Sequence, residues 1–221
     1  MADDLRGFLE EVEASGGEEL IRVRREISRD FEMAALVSKL EAEHRVPVLW
    51  FEKVRGADFP VVVNCFASRS RIASSLGIPS GALLARFQEA LDNPIPPTEA
   101  SSAPVQEVVI EGDSVDLGRL PLMRYHDTDA APYVTAGIVI AKDPDTGAYN
   151  LSFNRMMLKD RNRLGIFMTV GKHLNEIYSR AEERGEALPI VVSLGNHPAW
   201  AIGACMIGPY QVEEPGVIGG L

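Results

Sequence analysis

With 221 residues, 46% of them hydrophobic, the chain has enough apolar side chains to pack one large domain or two small ones. Its 32 acidic and 22 basic residues give a formal charge of −10, which argues against a nucleic-acid groove or an anionic membrane surface and leaves a small molecule or another protein as partner. The first residues lack the basic start and apolar run of a signal peptide, no apolar run reaches the roughly 18 residues of a membrane span, and Cys65 and Cys205 form no disulfide or zinc pattern, so a cytoplasmic location is expected.

Leu5, Phe8, Leu9 and Val12 fall at helical spacing before Gly16 and Gly17 and predict an amphipathic helix. Asp30 is placed to cap a second helix, in which Met33, Leu36, Val37 and Leu40 repeat on one face. Residues 46–51 and 59–66 read as strands. Ser68 and Ser80 mark the starts of two more helices, ending near Gly77 and before Asn93-Pro94. This alternation of helix and strand predicts an α/β N-terminal domain. Four prolines between residues 93 and 104 mark a linker, so the chain divides into 1–104 and 105–221. Beyond it, residues 105–111 alternate apolar and polar positions in part, and residues 134–142 form a β run. The turn chemistry of Asp143-Pro-Asp-Thr-Gly147 predicts an antiparallel partner at residues 149–157. A strand at 167–170, a helix at 173–184, a buried strand at 188–194 and a helix opened by Pro198 complete the pattern. The last residues, PGVIGGL, match no closing element and read as cut rather than finished.

Several polar residues stand out as candidates for chemistry. His44 ends a charged helix and reads as solvated. His126, within LPLMRYHDTDAAPY beside Arg124, Asp127 and Asp129, either lines a site or stabilises a turn. His197 is favoured as a residue that starts the Pro198 helix over one that faces a ligand. Asn150, Ser152 and Asn154 point to one face of a strand, a row of neutral hydrogen-bonding groups that suits a ring such as flavin or simply faces water. Arg155 offers a planar fork for a carboxylate or phosphate, or else a surface ion pair. Lys172 and His173 sit where Gly171 leads into a helix, a place that favours an anion such as phosphate. The segment from Gly203 to Gly208 is small enough to let a ligand approach the backbone, yet it holds no Walker or dinucleotide fingerprint. Glu213 and Glu214 are by default solvated acids.

In order along the chain, VPVLWFEKVRGADFPVVVNCFASRSRIASSLGI, LPLMRYHDTDAAPYVTAGIVIAKDPDTG and NLSFNR resemble successive segments of the UbiD family. The last corresponds to that family's Asn-x-x-x-x-Arg motif, and His173 follows Asn150 at about the family's interval. The resemblance covers essentially the whole chain and implies a partial split-β-barrel flavin-binding domain over residues 105–221, after the α/β domain of 1–104. It implies that Asn150, His173 and Glu214, with Glu213 the near alternative, coordinate Mn²⁺ or Mg²⁺ bridging to the phosphate of prenylated FMN. By the same resemblance Ser152, Phe153, Asn154, Arg155 and Lys172 surround the flavin. Ala204, Cys205 and Met206 match a segment that holds the phosphate and a monovalent cation such as K⁺ through backbone groups. Ala130 departs from the glycine common in the family.

The resemblance implies a carboxy-lyase that reversibly and non-oxidatively decarboxylates an aromatic, heteroaromatic or α,β-unsaturated acid. Arg155 would be its catalytic arginine, orienting the substrate carboxylate within a Glu-Arg-Glu network. A flavin prenyltransferase would supply the cofactor, and the full-length protein would form a homo-oligomer. Both network glutamates match positions after Leu221, so this chain alone is expected to be inactive. The alternative is a noncatalytic flavin-binding or assembly subunit whose glutamates come from a second chain.

Overall fold

The computed structural model describes residues 4–210 and 212–221. Helix α1 (Leu5–Ala14) starts where the Asp4 carboxylate accepts the Gly7 N–H, and it buries Phe8, Leu9 and Val12 as its periodicity predicts. Strand β1 (Leu20–Ile27) follows, an element absent from the sequence-based expectation because three arginines interrupt its apolar positions. It pairs in parallel with β2 (Val48–Val54), which pairs antiparallel with β3 (Val61–Val63). The strand expected at 59–66 is therefore short, and Phe59 and Phe66 at the ends of that span are exposed. Between β1 and β2 runs α2 (Glu32–Ala42), whose Met33 joins Ile27, Leu49 and Phe51 in a buried core. Asp30 does not cap this helix. The cap position belongs to Phe31 at φ 65°, and it is the Glu32 carboxylate that accepts the Ser28 N–H at 2.8 Å.

Helix α3 (Arg69–Ser75) is capped by Ser68, as expected. Ser80 opens only a 3₁₀ turn before α4 (Leu83–Asp92). Residues 105–111 form no strand. Val105, Val108 and Val109 are exposed there, so partial alternation without a partner strand does not suffice. The run at 134–142 divides at Gly137 into β4 (Tyr133–Val134) and β5 (Ile138–Lys142), which belong to different sheets. A Cβ at Gly137 would lie 2.8 Å from a Val134 methyl and 2.9 Å from one of Val192, so only glycine fits where the chain changes sheet. The run at 149–157 divides likewise into β6 (Tyr149–Phe153) and β7 (Met156–Asp160). Strand β8 (Arg163–Ile166) precedes the predicted 167–170, which is not a strand.

The second half contains two three-stranded sheets, β4-β7-β8 and β6-β5-β9, the last strand being β9 (Ile190–Ser193). Both contribute to one core, in which Val134 and Met156 meet Val139 and Ala141, closed by Leu174 and Ile177 of α5 (His173–Glu183). Strand β9 is an edge with Ile190 and Val191 exposed, rather than the buried strand expected of an apolar run. Two short helices close the fold: α6 (Pro198–Ala204), with His197 at its start, and α7 (Glu214–Gly220). The PGVIGGL segment is thus mostly helix. Its glycines mark close packing, since a Cβ on Gly219 would strike the Ile95 backbone and one on Gly220 would lie 3.0 Å from Ala90. Gly203 of α6 similarly admits Ile218 of α7, which accounts for this glycine by packing. Among the described residues no helix is long and apolar enough to cross a membrane.

Candidate functional site

The site grows from the β5–β6 hairpin. Ala141 pairs with Asn150 and Lys142 with Tyr149, leaving residues 143–148 as the turn, closed by the Asp143 N–H on the Ala148 carbonyl at 2.9 Å. Because β6 is an edge strand, its outward N–H groups need another partner. Glu214 of α7 supplies one: its Oε2 accepts the Leu151 N–H at 3.1 Å, and its Oε1 accepts the Asn150 side-chain amide at 3.0 Å. Asn150 and Glu214 are 6% and 3% exposed. The other end of the Asn150 amide, Oδ1, is buried without a hydrogen-bond partner.

His173 begins α5 on the far side of the same small pocket, whose walls include Asp143, Tyr149, Asn150, Tyr210 and Glu214. Burial pushes the Glu214 carboxyl above its ordinary range, against backbone N–H groups, the His173 imidazole and the Asn150 amide, which pull it down. The His173 ring meets Tyr210 edge to face, centroids 5.0 Å apart and planes at 76°. The Tyr210 hydroxyl in turn donates to Asp143, which also accepts from Arg180 at 2.6 Å. Burial and the Asp143 carboxylate push the Tyr210 hydroxyl up to about 12. Burial also acts to raise Asp143, but the Tyr210 and Thr146 hydroxyls and the Arg180 charge outweigh it and hold the carboxyl below its usual range.

Asn150, His173 and Glu214, far apart in sequence, therefore line one pocket, while Glu213 is exposed at the start of α7. Among the described residues no three His, Cys, Asp or Glu side chains converge as a metal site. The set here is mixed, one imidazole and one carboxylate with an amide oxygen. An unpartnered buried carbonyl oxygen beside a carboxylate destabilised by burial fits a cation, which would relieve both costs.

The other predicted positions are placed less tightly. Ser152 and Asn154 are half-buried and bonded to each other at 2.9 Å, and Phe153 packs against the cluster of Ile138, Leu151 and Ala204. Lys172 is exposed just before α5. Arg155 is exposed, its guanidinium 5.1 Å from the Phe167 ring centroid, with no carboxylate partner among the described residues. At the end of α6 the Cys205 and Met206 amides are spent on the Ala201 and Gly203 carbonyls, so their carbonyl groups are what they can offer, which suits a cation better than a phosphate. His126 is exposed, and its N–H and that of Tyr125 are held by Asp129, the turn-stabilising outcome. His197 accepts the Ala199 N–H at 3.2 Å and starts α6, also the structural outcome. Asp143, Arg180 and Tyr210 are residues that sequence reasoning misses. Their only signal is Asp143 at the head of a turn motif.

A family model for the 3-octaprenyl-4-hydroxybenzoate carboxy-lyase N-terminal domain matches residues 10–91, and one for that enzyme's Rift-related domain matches residues 97–221. The chain belongs to the UbiD family. A UbiD-class enzyme, HmfF from Pelotomaculum thermopropionicum, in an evolved dimeric form with prFMN, superposes with a TM-score of 0.92 at 33% identity, covering 99% of this chain and 50% of that one. The vanillic acid decarboxylase of Sedimentibacter hydroxybenzoicus gives 0.89 at 29% identity, over 100% of this chain and 48% of that one. Among curated proteins, anhydromevalonate phosphate decarboxylase of Methanothermobacter thermautotrophicus is 34% identical over 95% of this chain and 47% of its own length. Phenolic acid decarboxylase of Streptomyces sp. strain D7 is 32% identical over 99% and 48%. The chain thus spans about half the length of the curated relatives it matches.

Proposed function

We propose that this chain forms the cofactor-holding part of a UbiD-type decarboxylase that reversibly and non-oxidatively removes carbon dioxide from an aromatic, heteroaromatic or α,β-unsaturated acid. The observation that carries the reading is the trio of Asn150, Glu214 and His173 around one pocket, with the buried Asn150 Oδ1 lacking a partner. Asn150, His173 and Glu214 would hold Mn²⁺ or Mg²⁺ beside the phosphate of prenylated FMN. Ser152, Asn154 and Lys172 would approach the flavin, and the carbonyls near Cys205 would take a K⁺ ion. Bound prenylated FMN supplies an electron-accepting ring for decarboxylation. The protein's share is placement. Arg155, free of any carboxylate among the described residues, offers its fork to the substrate carboxylate, and Phe167 under the guanidinium limits its motion.

Within this reading residues 1–104 are the N-terminal α/β domain with its linker, a flavin prenyltransferase provides the cofactor and the complete protein is a homo-oligomer. Acid–base chemistry needs a carboxyl group beside Arg155 and none partners it among the described residues, so in this reading the 221-residue chain retains cofactor without turning over. Anaerobic reconstitution with prenylated FMN and Mn²⁺, followed by absorbance and native mass spectrometry, tests this. Retention should fall in Asn150→Ala and His173→Ala and survive in Arg155→Ala. Equal retention by all three variants would overturn the metal assignment, and decarboxylation by the 221-residue chain would overturn its inactivity.

A further inference from the structure

We propose that Asp143, Arg180 and Tyr210 form a clamp that positions the His173 ring and ties together the three segments bearing Asn150, His173 and Glu214. As a statement about ligand positioning, it rests on the metal reading above. Within the turn at 143–148, Asp143 Oδ1 accepts the Asp145 N–H at 2.8 Å, and the Thr146 hydroxyl also bonds to this carboxylate. The second oxygen accepts the Tyr210 hydroxyl at 2.5 Å and the Arg180 Nη1 at 2.6 Å, on a residue only 2% exposed. Arg180 Nη1 also donates to the Tyr210 oxygen at 2.8 Å, and its guanidinium carbon lies 4.8 Å from that ring's centroid. The three side chains thus bond in a closed triangle, which fixes the tyrosine ring in plane and in tilt.

The triangle sits where it can act on all three ligands of the proposed site. Asp143 begins the turn that leads into Asn150 on β6. Arg180 stands seven residues after His173 on α5, two turns along the same helix face. Tyr210 precedes Glu214 by four residues and sets its ring edge against His173, centroids 5.0 Å apart. An imidazole held by a fixed neighbour loses less freedom on taking a metal than one free to rotate, and groups of this kind commonly change metal affinity by about tenfold or more.

Tyr210→Phe keeps the ring and removes the hydroxyl that closes the triangle. In the cofactor-free 221-residue chain, Mn²⁺ affinity followed by electron paramagnetic resonance should weaken about tenfold. The imidazole signals of His173, assigned among the four histidines by their loss in His173→Gln, should shift as the ring current of residue 210 changes. Arg180→Lys, which keeps a donor but not the fork, should move the same signals less. Tyr178→Phe, removing an exposed hydroxyl of α5 bonded to Glu182, is the control and should leave both readouts unchanged. An unmoved His173 signal in Tyr210→Phe, or an equal shift in Tyr178→Phe, overturns the clamp. A wild-type chain that binds no Mn²⁺ while the His173 signal still responds to Tyr210→Phe would sink the metal reading and leave the clamp standing.

Discussion

The sheet β1-β2-β3 and the pocket between β6, α5 and α7 treat charge in opposite ways. Around the first, the interior is apolar, with Ile27, Met33 and Phe51 fully buried, and the charges pair at the rim: Arg22 with Glu13 and Glu52, Arg25 with Glu32, Arg55 with Glu26. The buried charge of this region, Arg71, sets its terminal nitrogens on the Asn64 and Val46 carbonyls and on Glu19, while its Nε and the Asn64 side-chain nitrogen are buried without a partner. Around the pocket, Asp143, Asn150 and Glu214 lie inside, and one of their oxygens has no partner. Unmatched buried polar groups cost stability in both regions, and the difference lies in their kind: the N-terminal atoms are nitrogen donors beside a cation, whereas the pocket's is an oxygen beside a buried carboxylate, where a cation can offset the cost.

The largest change should come from Phe51→Ala, which removes a fully buried ring from the N-terminal core and should cost about 3–5 kcal/mol in denaturant unfolding. A loss below about 1 kcal/mol would mean that this side chain does not hold the core. Next, Asp143→Asn should cost about 2 kcal/mol at neutral pH by weakening the Arg180 and Tyr210 bonds. Because the folded Asp143 carboxyl titrates below its usual range, its contribution is complete above the unfolded value of about 4 and disappears as pH falls through the lower folded one. The stability gap between wild type and Asp143→Asn should therefore close in acid. A gap that stays constant would remove the charge from the account.

How far these regions can be read from the sequence obeys the same division. Helix α1 is legible because Leu5, Phe8, Leu9 and Val12 repeat locally and meet the core at once. Strand β1 is hidden by Arg22, Arg24 and Arg25, since Arg22 and Arg25 face ion-pair partners rather than apolar neighbours. Helix α7 is hidden by glycines that only long-range contacts with Ile95 and Ala90 explain. At the site, family resemblance singles out Asn150, His173 and Glu214, but residue patterns alone make Glu214 a solvated acid. Its burial depends on an edge strand that needs a partner. Asp143, Arg180 and Tyr210 are silent because no spacing rule links single polar residues 30 to 67 positions apart.

A smaller effect of opposite sign is expected from Glu214→Gln. The neutral amide removes a buried charge; with its oxygen kept on the Leu151 N–H, its N–H₂ can donate to Asn150 once that amide turns over, which preserves the pair without the charge, so the metal-free chain should gain about 1 kcal/mol at neutral pH. The Glu214 carboxyl is raised by burial, so wild type loses stability as pH climbs from the usual glutamate range through that raised value. The advantage of the variant should appear only above the usual glutamate range and vanish below it. Mn²⁺ should erase it as well, by stabilising wild type and not the variant. A Glu214→Gln protein less stable than wild type without metal would show that the pocket is already satisfied and would blur the contrast between the two regions.

The smallest change should come from Arg22→Ala, although this side chain makes several contacts at the rim. Its guanidinium lies 4.0 Å from the Trp50 ring centroid, and its nitrogens reach Glu13 at 2.6 Å and Glu52 at 3.1 Å. Those carboxylates are partly exposed, so water and salt compete for every partner, and ordering three side chains offsets much of the attraction. The unfolding midpoint should drop by less than the Glu214→Gln variant raises it. What remains at high salt measures the stacking on Trp50, because screening weakens the ion pairs first. If the full loss persisted in high salt, the rim arginine would be held by packing of its stem and ring contact, and the N-terminal sheet would owe less to paired charge than its geometry suggests.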